Sequence, residues 1–138
     1  MGFQKVEALF FMAISPKELY KFSQKEIAWI FQQKAGTQYK TGLKSLQIPI
    51  PPDPENMPAG VSFPFYGKLL IITIRKSGKA VDRNRIRRRL KAFFYQEKLY
   101  TPLLYTVIFV HPPAMKLTAQ ELRTYLLKLY KHAGKEEL

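Results

Sequence analysis

The sequence predicts an α+β fold in which a small sheet packs against amphipathic helices, and three observations predict it. Residues 69–74 (Leu69 to Ile72, Thr73, Ile74) are too continuously apolar for a strand with one wet face. Ile86, Leu90, Phe93 and Phe94 recur at the spacing of one helical face. The periodicity switches back and forth without any internal repeat, giving the order helix, strand, strand or strands, helix, strand, helix. A chain of 138 residues is long enough for one domain with a substantial core.

Residues 1–22 read as an N-terminal extension: Leu9, Phe10, Phe11, Met12 and Ile14 are apolar, but with only Lys5 and Glu7 beside them the stretch is too short for a signal peptide. Ser23-Gln24-Lys25-Glu26 has the spacing of a capping box, so a helix should begin there. Ile27, Ile30 and Phe31 follow at helical spacing, and Gly36 is a stop. Residues 43–50 read as a weak strand. Residues 49–64 carry six prolines with Asp53, Asn56 and Gly60, which makes them a loop inserted in a domain of residues 23–133. Residues 65–75 give the strongest strand, and Gly78 belongs to the turn after it. The next helix is expected from about Asp82, as N-cap, to Lys98. Residues 104–110 are β-rich and closed by Pro112-Pro113. Thr118 should cap a final helix with Leu122, Leu126, Leu129 and Tyr130 as its buried stripe, leaving residues 134–138 as a tail.

Charge narrows the function. A net charge of +13 and a pI near 10.0 favour RNA, DNA or an anionic membrane as partner, and no apolar run reaches spanning length. The chain has no cysteine, hence no disulfide or thiolate metal site, which fits a reducing compartment. Nine basic residues and one acid lie within residues 75–91. On a helical projection Asn84, Arg88, Lys91 and Tyr95 lie opposite the apolar stripe, with Arg83 and Arg87 on one border and Arg85 and Arg89 on the other. Arginine forks bind phosphate in a bidentate way and stay charged, so five arginines in seven positions point to a polyanion rather than a merely solvated face.

Protein-borne catalysis has little to draw on. His111 and His132 have no neighbouring acid to orient them, Asp53 and Asp82 are the only aspartates, and the glutamates are scattered. Gly78-Lys79 lacks the rest of a phosphate-loop pattern. Trp29 lies off the apolar stripe of its helix and suits packing on the proline-rich insert, or stacking on a base. Tyr39 with Lys40 and Lys44 hints at a basic aromatic strip beside the first helix.

The run Gly78-Lys79-Ala80-Val81-Asp82-Arg83-Asn84-Arg85-Ile86-Arg87-Arg88 resembles the signature of the protein component of bacterial ribonuclease P, and roughly three quarters of the chain shares the likeness. The resemblance implies a two-layer α-β-β-β-α-β-α sandwich with a left-handed βαβ crossover, of the ribosomal protein S5 domain 2-like kind. It implies a cytoplasmic bacterial protein whose partners are a catalytic RNA and precursor tRNA, with no membrane or protein partner. That RNA, with Mg2+, would remove the 5′ leader, so this chain would hold no metal and no catalytic residue. Lys79, Arg83, Asn84, Arg85, Arg87, Arg88, Arg89 and Lys91 would face the RNA, and Ile27, Phe31, Arg75 and Lys76 would line a leader-binding cleft. Ile27 stands where the family often has an aromatic, and Ile72 and Ile74 where it has small or hydroxyl residues. The residues alone leave two other readings open: a ribosomal-RNA or DNA binding module using the same helix, and a metal-dependent nuclease.

Overall fold

The computed structural model describes residues 15–51, 63–74, 76 and 78–136, with side chains to residue 131. A 3-10 turn, Pro16–Tyr20, leads into helix α1, Gln24–Gln32. Strands β1, Thr37–Lys40, and β2, Leu43–Pro49, form a hairpin; β3 is Lys68–Thr73. Helix α2, Ala80–Gln96, precedes β4, Leu104–Val110; a second 3-10 turn, Pro112–Lys116, leads to helix α3, Ala119–Glu136. The four strands lie in the order β1-β2-β4-β3. The β1/β2 and β2/β4 pairs are antiparallel, whereas β3 and β4 run parallel with α2 as their crossover. This is the mixed α+β architecture that the sequence pattern predicts.

Because side chains alternate across a sheet, the core divides in two. On one face Leu43, Leu69, Ile108 and Val110 pack under α2 and α3, meeting Ile86, Leu90, Phe94, Leu122, Leu126 and Leu129. Ser45 and Thr106 on that face share hydrogen bonds with the Tyr125 and Tyr130 hydroxyls of α3, so these two polar groups within the apolar layer are paired. The opposite face carries Ile48, Tyr105 and Val107, covered by Ile30 and Trp29 of α1 and by Phe63. Trp29 meets Phe63 edge-on at 4.8 Å, so it packs against the end of the proline-rich insert, as its off-stripe position suggested.

The capping boxes explain where two helices begin. Ser23 Oγ accepts from the Glu26 amide at 3.0 Å while Glu26 accepts from the Ser23 amide at 3.2 Å. Thr118 and Glu121 repeat the arrangement at the start of α3. Several expectations are corrected. Helix α2 starts at Ala80 with Lys79 as N-cap, and Asp82 is no cap: it lies in the first turn, paired with Arg85 one turn on. The helix closes at Gln96, with Lys98 in the left-handed region at φ 53°. The strand expected at 65–75 is shorter, Lys68–Thr73; just before it the Gly67 amide donates to Tyr100 O at 2.7 Å, where a Cβ would lie 2.5 Å from Pro102 O. Strand β1 has no counterpart in the residue-by-residue reading. All of Thr37–Lys40 is exposed, so it carries no apolar alternation to betray it. Thr41 and Gly42 both have positive φ, as a tight two-residue hairpin turn requires, and a Cβ on Gly42 would sit 2.5 Å from Ala114 N. Part of the stretch read as an N-terminal extension belongs to the core: Leu19 is fully buried and the Tyr20 hydroxyl donates to Lys91 O at 2.6 Å. Helix α3 also runs on to Glu136, into the stretch read as a tail.

Candidate nucleic-acid interface

Helix α2 is anchored by Ile86, Leu90 and Phe94, each 3% exposed or less, which fixes where the intervening residues point. Asn84, Arg85, Arg88 and Tyr95 are exposed, as are Lys79 at the N-cap and Lys76 before it. Arg83, Arg87, Arg89 and Lys91 are half-buried along the borders of the helix. Arg87 donates from Nη2 to Thr73 Oγ1 at 2.7 Å, tying the helix to the end of β3. Arg83 and Arg87 both bury Nε without a partner among the described residues. Lys91 Nζ lies 5.0 Å over the Tyr20 ring, and burial together with the Arg87 charge holds its ammonium below the ordinary lysine pKa.

The electrostatics of this helix oppose an isolated state. Its N-terminus, the positive end of the dipole, has no side-chain cap and carries Lys79 and Arg83 with only Asp82 to offset them. Each cation there is disfavoured by roughly 0.3–1 kcal/mol at low salt. An anion over the first two turns would relieve both the dipole and the crowded guanidinium groups.

The second surface is the half of the sheet that α1 leaves open. Glu26, 6% exposed, fixes α1 at one end: its carboxylate accepts two bonds from Lys68 Nζ at 3.1 Å and one from the Tyr105 hydroxyl at 2.6 Å. Burial and that bond to Glu26 push the Tyr105 hydroxyl well above the ordinary tyrosine pKa. At the other end of α1, Phe31 is 46% exposed and its ring lies 6.2 Å from Phe109. Strand register puts Tyr39, Lys44, Phe109 and Ile72 side by side in one row across all four strands. Lys44 Nζ lies 5.9 Å from the Phe109 ring centre, and Tyr39 stacks on His111 at 6.1 Å and 27°. Ile27, half-buried, is one turn from Phe31 on α1, and Lys76 follows the end of β3 two residues beyond Ile74. Arg75 and the side chain of His132 lie outside the described residues. No group of three or more His, Asp or Glu placed to hold a metal occurs among the described residues, and no described helix is long and apolar enough to cross a membrane.

A cationic helix thus connects a parallel strand pair beside a half-open aromatic sheet face. A family model described as Ribonuclease P matches residues 23–134. The chain belongs to the ribonuclease P protein family. Within this family, the ribonuclease P protein component of Phytoplasma australiense is 42% identical over 65 residues, a stretch covering 46% of this chain and 56% of that one. The RNase P protein of Staphylococcus aureus has the same fold, with a TM-score of 0.64 at 18% identity over 83% of this chain and 94% of its own. That of Thermotoga maritima gives 0.60 at 18% identity, over 82% and 96%.

For a ribonuclease P family chain, the α2 cations were recognisable from sequence and the sheet face was not. The sequence marks Phe109 only as part of a strand, and Glu26 and Lys68, 42 residues apart, give no sign of pairing. Of the Tyr39, Lys40 and Lys44 strip, Tyr39 and Lys44 share the open face, while Lys40, the alternate residue, is directed to the other side.

Proposed function

We propose that this chain is the protein subunit of a bacterial, cytoplasmic ribonuclease P, binding a catalytic RNA along α2 and the 5′ leader of precursor tRNA on the open sheet face. The observation that carries this reading is an ordered helix whose apolar side is locked by Ile86, Leu90 and Phe94 while Asn84, Arg85 and Arg88 stand free of the core. Family membership over residues 23–134 supports it. In this reading Lys79, Arg83, Asn84, Arg85, Arg87, Arg88, Arg89 and Lys91 meet RNA phosphates. Arg87 does so from a position already braced on Thr73. Ile27, Phe31, Arg75 and Lys76 flank the single-stranded leader, with Phe31 and Phe109 as its apolar platform.

The chain supplies binding and the RNA supplies the reaction. Magnesium is held by the RNA, and the protein lowers the concentration at which it suffices by neutralising phosphates that would otherwise repel substrate. Reconstitution tests this. With the catalytic RNA at low magnesium, adding the protein should raise cleavage of precursor tRNA, and affinity should fall with a log–log salt slope of about 0.7–0.9 per phosphate neutralised. Cleavage that is the same with and without the protein would refute the assignment. Equal binding to random duplexes and to the catalytic RNA with its precursor tRNA would leave a general RNA or DNA binding module instead.

A further inference from the structure

The cleft reading accounts for Phe31 and Phe109 but leaves an aromatic pair at the outer end of the same row. Tyr39 sits on edge strand β1, where all four residues are exposed, and it is itself 66% exposed. It contributes to neither hydrophobic cluster, yet its orientation is not free: the ring is stacked on His111, the residue that follows β4 and whose amide donates to Gly42 O at 2.8 Å. A rigid aromatic plane with one side backed by another ring and the rest in solvent is a stacking platform.

We infer that Tyr39, backed by His111, seats one further unpaired base of a bound RNA strand, and that Lys44 neutralises the phosphate between this base and the one on Phe109. The inference rests on the open sheet face being a leader-binding cleft. Register supplies the geometry. Tyr39 pairs with Lys44, and Lys44 with Phe109, so the cation stands on the strand between the two aromatic positions. With adjacent strands about 4.8 Å apart, the two platforms are separated by roughly 10 Å, leaving room for a sugar and a phosphate between two splayed bases. Alternation of ring, cation and ring matches a single-stranded nucleic acid, and stacking makes the seat tolerant of base identity.

Precursor tRNAs whose leaders are shortened stepwise from the 5′ end, bound to the holoenzyme of full chain and catalytic RNA, test this. With long leaders Tyr39→Ala should weaken binding about 5- to 150-fold, the effect of losing one stacked base. With substrate lacking a leader the variant should bind like the unaltered protein, and Tyr39→Phe should bind like it throughout. Two results would overturn the inference: long-leader affinity unchanged in Tyr39→Ala, or an equal loss with and without the leader, which would mark a structural role. If the unaltered protein shows no dependence on leader length at all, the cleft reading itself falls and the seat with it; a dependence that Tyr39→Ala leaves intact removes only the seat.

Discussion

Removing the buried Lys68 ammonium should be strongly destabilising, because it strands a carboxylate inside the protein. Lys68 and Glu26 keep only 7% and 8% of their side-chain area exposed and meet at 3.1 Å. In Lys68→Met the Glu26 carboxylate would retain only the Tyr105 hydroxyl and the Ser23 amide, and Phe22 would lose the cation 4.4 Å over its ring. Breaking a buried pair in this way costs about 3–5 kcal/mol, whereas removing both charges is often close to neutral. Lys68→Met should therefore lose about 3–5 kcal/mol, and the double variant Glu26→Gln with Lys68→Met should recover most of it. Trp29, the only tryptophan, lies 6.0 Å from Tyr105 and reports directly on this region. In urea, at a slope of about 2 kcal/mol per molar, the single variant's midpoint by Trp29 emission should fall by about 1.5–2.5 M. A loss below about 1 kcal/mol for Lys68→Met, or a double variant as unstable as the sum of the singles, would refute the account of a desolvated, interdependent pair.

Arg88→Ala should weaken binding to the catalytic RNA and reduce the salt slope by about 0.7–0.9 without moving the thermal midpoint, since Arg88 is exposed; a titration at several salt concentrations checks it. Arg87→Ala should lower both affinity and stability, because it also removes the bond to Thr73, worth about 0.5–1.5 kcal/mol in a denaturant melt. Leu90→Ala should cost about 2–5 kcal/mol in the same melt by opening a fully buried site beneath α2. Tyr20, Tyr105 and Tyr130 have hydroxyl pKa values raised in the fold, chiefly by burial. Their contribution is intact below the unfolded tyrosine value of about 10 and is lost as pH rises above it, so in alkali the tyrosinate absorbance of these three should appear together with unfolding. Ionisation of these three well before loss of the fold would contradict that linkage.

Local rules account for what the sequence disclosed. The i, i+4 spacing of Ile86, Leu90 and Phe94 located the buried side of α2, and so the free side. The Ser23/Glu26 and Thr118/Glu121 boxes located two helix starts, since both partners lie within one turn. What escaped depends on distant pairing or on competition. Asp82 has the chemistry of an N-cap, but an arginine one turn later draws its carboxylate away while the helix begins two residues earlier. Strand β1 exists through its register with β2 rather than through its own residues. Likewise, Tyr39 and His111 become neighbours only once β2 has brought the hairpin alongside β4.

The division of the interior into two separate oily layers, joined only through the peptide planes of the sheet, has an evolutionary consequence. Substitution at a half-buried position of the open row, such as Ile72, can change that surface while the packing under α2 and α3 keeps the chain folded. The open row can therefore vary at little risk to the scaffold that presents the arginines.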